Sequence, residues 1–379
     1  MLGKEFVVVD GLWGKIEAGT REVLAKALAG EEISVEEGAG LFQVQGPELM
    51  ALIMVADQLR QQSVGDPVTF VHNRNINFTN VCIGGCLFCG FHRRMGDDDA
   101  FLLSLEEIVR KAVEAYQLGA TEVCIQGGLN PSVDPHYYFH ICAAIKEEVP
   151  QIHIHAFSPM EVYYGARRLG WSVRDFFIRL KEAGLDSMPG TAAEILHDSI
   201  RKVICPGKLT VKEWVEVMKT AHHLGIPSSA TMMYGHLEKP WHLAAHLQII
   251  REIQKETQGF TEFVPLSFIH PNTELFRRGY CGPGASGLMD LKVFAVSRIM
   301  LNGFIDNIQV SWVKLGRKLA QICLWAGGND LGGTLMEEHI SRMAGASTPS
   351  QMSIDDLRSL IEQSGRRPVQ RTTTYDLLL

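Results

Sequence analysis

From about residue 68 the sequence alternates short β-rich runs with amphipathic stretches that begin on a helix cap and stop at a glycine. Residues 68–79 read as a strand, and Ser104 with Glu107 forms a capping box for a helix that stops at Gly119. Residues 121–126 read as a strand, 135–149 as a helix and 151–157 as a strand, and Gly184 ends the second of the two helices that follow. A short strand at 186–188, a helix opened by Thr210 with Glu213, a strand at 228–234 and a helix at 241–257 continue the pattern. Strands at 260–268 and 308–310 and helices at 288–301 and 315–325 complete it. This is the grammar of parallel strands joined by crossover helices. Roughly seven or eight such units favour a closed (β/α) barrel of the TIM type over an open doubly wound sheet.

The barrel accounts for residues 68–335. Residues 1–67 read as a helical segment before it, and 336–379 as an extension that packs on it, with a helix near 354–362 and a strand near 369–375. Forty-six per cent hydrophobic and 21% charged residues give ample material for one large core. No apolar run reaches the roughly 18 residues that span a bilayer. The stretch 1–6 lacks a signal peptide's basic start, so a cytoplasmic protein with no membrane partner is expected. A net charge of −7 argues against nucleic acid as a partner and points to small molecules.

Chemistry enters at Cys82, Cys86 and Cys89, directly after the first strand. Three thiols at this spacing can face one centre only if the backbone loops, which Gly84 and Gly85 permit. A cubic 4Fe-4S cluster normally takes four thiolates, and this motif offers three, so one iron is left to bind something that is not protein. A tetrahedral zinc site with His92 as fourth ligand is the alternative, which would make the chain a non-catalytic zinc-binding module. The remaining cysteines, 124, 142, 205, 281 and 323, are isolated and suit reduced thiols.

With Phe88 before the last cysteine, this arrangement resembles the radical S-adenosylmethionine (SAM) superfamily, in which the amino and carboxylate groups of SAM chelate the open iron. That resemblance implies two cofactors, the 4Fe-4S cluster on Cys82, Cys86 and Cys89, and SAM. Barrel geometry collects chemistry beyond the C-terminal ends of the strands. Gln126, Gly127 and Gly128 follow one strand, where bare backbone can approach the amino group of SAM, and Ser158 follows the next. Glu194 is the candidate partner of the SAM ribose, with Arg201 and Lys208 as candidates for its carboxylate. His236, Glu238, His270 and Asp330 read as polar strand-end groups, any of which could serve as a base.

Six segments narrow the resemblance: residues 77–82 (NFTNVC), 125–131 (IQGGLNP), 155–159 (HAFSP), 185–194 (LDSMPGTAAE), 231–236 (TMMYGH) and 329–334 (NDLGGT). They resemble one radical SAM clade, which contains aminodeoxyfutalosine synthase, dehypoxanthine futalosine cyclase and the second subunit of FO synthase, and they look most like the last. Gly90 stands where that pattern has alanine, an exchange expected to change little. The resemblance implies transfer of the 4-hydroxybenzyl group of L-tyrosine to 5-amino-6-(D-ribitylamino)uracil. In that family a 5′-deoxyadenosyl radical takes hydrogen from tyrosine before the Cα–Cβ bond breaks. The menaquinone-pathway futalosine reactions are the alternative, and FO synthase subunit 1 is the implied functional partner.

Overall fold

Helix caps written into the sequence set where each element begins. The computed structural model describes residues 10–378, so the expectation made on the stretch 1–6 lies outside them. Helices α1 (Asp10–Trp13), α2 (Ala18–Leu28), α3 (Val35–Leu41) and α4 (Gly46–Val64) come first. Ser34 and Glu37 cap α3 reciprocally. Leu24, Leu41, Leu52 and Val55 of these helices share one core with the barrel residues Ile125 and Ile154. Among the described residues no single helix is long and apolar enough to cross a membrane; α3 and α4 meet that length and composition only together, bent by 119°.

The first barrel strand is broken where the sequence reads one run over 68–79. It divides at His72 into β1 (Pro67–Val71) and β2 (Asn73–Asn77), because the two halves pair with different neighbours. There follow α5 (Leu105–Gln117), β3 (Glu122–Gln126), α6 (Tyr137–Glu148), β4 (His153–Ala156), α7 (Pro159–Leu169), α8 (Val173–Glu182), α9 (Asp198–Ile204) and α10 (Val211–His223). Next come β5 (Ser228–Tyr234), α11 (Pro240–Thr257), β6 (Phe260–Ser267), α12 (Glu274–Arg277), α13 (Gly287–Leu301), α14 (Trp312–Cys323) and β7 (Asp330–Gly333). The chain ends with α15 (Ile340–Met343), α16 (Ile354–Glu362), β8 (Arg367–Arg371) and β9 (Leu377–Leu378).

Parallel pairing runs from β2 to β3 to β4. Single bridges carry it through Ser187 and Met188 to β5, which pairs with β6, and then through Ile308 and Gln309 to β7. Pairing of Thr69 with Asp330 closes the ring. Outside it, the apolar face of α16 (Leu357, Leu360, Ile361) packs against Val68, Phe70, Ile308 and Leu331.

Strand β8 runs parallel to β1 on the edge left open because β3 begins only opposite Asn73. The segment after it then crosses the N-terminal end of the barrel. Arg371 donates to Asp330 at 2.5 and 3.0 Å, Thr373 to Glu122 at 2.7 Å and Tyr375 to Glu262 at 2.5 Å. This corrects one expectation. Asp330 begins β7 rather than following a strand, is fully buried, and pairs with Arg371 at the end of the barrel away from the cysteines.

Candidate active site

The cysteine loop leaves the C-terminal end of β2 and is pinned on three sides. Ile83 N–H donates to Leu129, Leu87 N–H to Ile204 and Leu275 N–H to the Leu87 carbonyl, at 2.8–3.1 Å. A Cβ added at Gly84 would stand 3.3 Å from Cys82 Sγ and 3.7 Å from Cys86 Sγ, so the bare backbone keeps the sulfur side of the loop open. Burial pushes the Cys82 and Cys86 thiols up. Burial pushes Cys89 up too, but hydrogen bonds from the His92 ring and from the His92 and Phe91 backbone outweigh it and hold that thiol below its usual range. Metal binding is what makes thiolates favourable in such a place.

The residues fit a cluster better than a single ion. Cys82, Cys86 and Cys89 offer three soft thiols from one loop, the donor set of a cubane in which each thiolate has its own iron, whereas a zinc site would draw a fourth ligand onto the same centre. His92 Nδ1 is 2.9 Å from the Cys89 carbonyl oxygen, which engages the ring proposed for the zinc alternative.

Beside the loop, Lys208 Nζ lies 2.5 Å from Glu194 and 5.2 Å from the centre of the Phe88 ring. Burial works against the lysine's charge, but Glu194, Cys86 and Cys205 more than offset it, and the ammonium is held above its usual range. Glu194 and Ala192 adopt φ of 48° and 61°, left-handed values that non-glycine residues rarely take and that mark functional turns. Arg201 is a correction. Its guanidinium is buried and donates to the carbonyls of Ala192, Ala193 and Leu209, so it shapes the Glu194 turn instead of facing a carboxylate.

Gln126 ends β3 at the same mouth, half-buried. A Cβ at Gly127 would meet the Phe78 ring at 2.6 Å, and one at Gly128 would strike the Val81 carbonyl, so glycine is required by close packing behind Cys82. Gly127 N–H donates to Glu161 at 2.9 Å and Gly128 N–H to Thr79 at 2.8 Å. Ser158 caps α7, and its hydroxyl donates to Glu161 at 2.6 Å. It therefore acts through Glu161, with which it forms a capping box that the sequence reading did not single out. Burial pushes the Glu161 carboxyl up to about 7.

The base candidates separate. His236 and Glu238 form a closed turn: Leu237 N–H donates to His236 Nδ1, Nε2 faces the Met233 carbonyl, and Glu238 accepts from the Gly235 and His236 amides. Both side chains are almost wholly buried. His270 meets Phe276 edge to face, ring centres 4.5 Å apart, and its ring has no hydrogen bond among the described residues, so of the four candidates it alone presents a free imidazole nitrogen. Gly90, expected to be neutral, is a contact point: a Cβ there would stand 2.6 Å from Ala344 Cα and 2.8 Å from the Met343 oxygen. Two charged groups at the mouth escaped the sequence reading: Lys314, after the seventh strand segment, stands in no recognisable motif, and Glu338, after β7, ends the glycine-rich segment 327–338 but was given no role.

Residues 76–250 match the model of the radical SAM superfamily, and 257–378 that of the CofH/MqnC C-terminal region. Barrel and cysteine loop together therefore define a radical SAM enzyme. A protein of Methanothermobacter thermautotrophicus named 5-amino-6-(D-ribitylamino)uracil--L-tyrosine 4-hydroxyphenyl transferase is 51% identical over 360 residues, 95% of this chain and 98% of its own length. This chain belongs to the family of those transferases, the second subunit of FO synthase. The FO synthase of Mycobacterium leprae is 52% identical over 342 residues, which are 90% of this chain but 40% of that protein. The FeFe-hydrogenase maturase HydG from Carboxydothermus hydrogenoformans shares the fold, with a TM-score of 0.72 at 17% identity, over 94% of this chain and 80% of that chain.

Proposed function

We propose that this chain transfers the 4-hydroxybenzyl group of L-tyrosine to C5 of 5-amino-6-(D-ribitylamino)uracil, on the way to the deazaflavin FO. The Cα–Cβ bond of tyrosine breaks and a carbon–carbon bond to the uracil forms. What carries this reading is the three-cysteine loop at the C-terminal mouth of the barrel, in a chain 51% identical to a transferase of that name.

Cys82, Cys86 and Cys89 would hold the 4Fe-4S cluster, which supplies the electron for reductive cleavage of SAM. The chain's own residues supply placement. Glu194, oriented by Lys208, offers carboxylate oxygens to a ribose diol. Phe88 presents an apolar face, and Glu161 fixes the Gly127 and Ser158 backbone where the SAM amino group approaches. His270 is the group free to exchange a proton with substrate. The barrel wall keeps water from the reacting carbon.

The reading includes the cytosol as the place of work, where eight cysteines, none in a disulfide, remain reduced. It also includes FO synthase subunit 1 as the functional partner, a reading supported by the Mycobacterium leprae FO synthase, of whose length 60% lies outside the match (100% less 40%). Anaerobic enzyme given dithionite, SAM, tyrosine and the ribityl uracil should form the coupled product, and 5′-deoxyadenosine only when tyrosine is present. Turnover of a futalosine-type substrate instead would overturn the assignment.

A further inference from the structure

Ion pairs take up some of the charged side chains around the mouth. Glu194 takes Lys208, and Glu337 takes Arg74 and Lys111 at 3.0 and 2.7 Å. Lys314 has no ion pair or side-chain hydrogen bond among the described residues, although its ammonium lies near enough to Glu338, Cys89 and Glu194 for their charges to act on it. Glu338 is 5% exposed; its Oε1 accepts from Ser341 N–H at 2.9 Å, and its Oε2 is buried with no partner. A buried carboxylate oxygen without a donor is costly unless something else supplies one. The backbone that carries it is also held in left-handed turns, with φ of 57° at Leu335 and 66° at Glu337. One anchored oxygen fixes the direction of the open one.

An unpaired cation and an unpaired anion that attract but do not touch are complementary to a zwitterion of opposite order. We propose that Lys314 and Glu338 bind the α-amino-acid end of the substrate, the Lys314 ammonium taking its carboxylate and the Glu338 carboxylate its ammonium. This rests on tyrosine being the substrate. Burial lowers the tendency of Lys314 to hold its proton, and an incoming carboxylate relieves that cost. SAM ends in the same α-amino-acid group; the pair follows the last two strand segments of the ring, whereas Gly127, Gly128 and Glu194 follow the second and fourth, and SAM affinity in the test separates the two ligands.

The test uses cluster-loaded, anaerobically purified enzyme and equilibrium dialysis of four ligands: L-tyrosine, tyramine without the carboxylate, 3-(4-hydroxyphenyl)propanoate without the ammonium, and SAM. Wild type should prefer tyrosine over either analogue by roughly 10- to 100-fold, the worth of a hydrogen bond to a charged partner. Lys314→Gln should abolish the preference over tyramine and keep that over the propanoate, Glu338→Gln should do the reverse, and Lys314→Arg should keep both. SAM affinity should stay within about twofold in all three. Because the readout is a ratio of affinities, a partly unfolded sample does not move it. Variants that keep the wild-type preferences, or that lose SAM instead of tyrosine, overturn this assignment alone. Wild type that binds no tyrosine overturns the transferase reading with it.

Discussion

The two ends of the barrel are built from the same kinds of side chain and do opposite things with them. At the N-terminal end Glu122, Glu262 and Asp330 each meet a donor from the 371–375 segment. Each of these three carboxylates is thereby satisfied by the protein itself. At the C-terminal end three thiols, the Lys314 ammonium, the Glu338 Oε2 and the His270 ring are left open. Conserving charge pairs at the bottom and withholding them at the top is how a barrel separates stability from chemistry. Polarity alone therefore does not locate a site.

Five substitutions, one of them a control, test that contrast in descending order of effect. Cys86→Ala should remove the iron and all SAM cleavage, while Cys281→Ala leaves iron content and turnover near wild type; iron analysis of anaerobic protein decides it. The converse result would show that other thiols hold the metal. At the bottom, Asp330→Asn removes half of a buried ion pair and should cost about 3–5 kcal/mol in urea unfolding, with turnover per folded molecule unchanged. Lost turnover at full stability would return Asp330 to the active site.

Glu161→Gln probes the proton held at the mouth. Its folded carboxyl is raised from 4.5 to about 7, so its contribution to stability is complete below pH 4.5 and is lost as pH rises through 7. The variant should flatten the stability curve across that window by up to about 3 kcal/mol. Glu262, pushed up to about 6 by burial against the pull of Arg371, adds a slope of the same sign that the variant retains. An unchanged curve would mean that the Gly127 and Ser158 donors keep Glu161 ionised. Gly90→Ala should cost about 1–3 kcal/mol by thermal melting, as the Met343–Ala344 backbone is forced away, with iron content kept.

The barrel and its cysteine loop were legible in the sequence because both are local signals. Capping boxes at Ser34, Ser104 and Thr210 fix helix starts, and three cysteines within eight residues fix a loop. What was not legible depends on register. Asp330 sits in a glycine-rich string that reads as a turn after a strand, yet the strand begins on it, which moves it to the other end of the barrel. The break at His72 is invisible because both halves are β-rich and only their partners differ. Arg201 looked like a ligand for a carboxylate until three carbonyls were found to hold it. Lys314 and Glu338, 24 residues apart in sequence (338 less 314), gain meaning only from what fails to reach them.

The central claim is that the open mouth binds a cubane with one iron free for SAM. Electron paramagnetic resonance of dithionite-reduced, oxygen-free protein tests it most directly. The account predicts a 4Fe-4S signal that shifts when SAM is added. A colourless protein carrying one zinc, or a cluster signal indifferent to SAM, would contradict it.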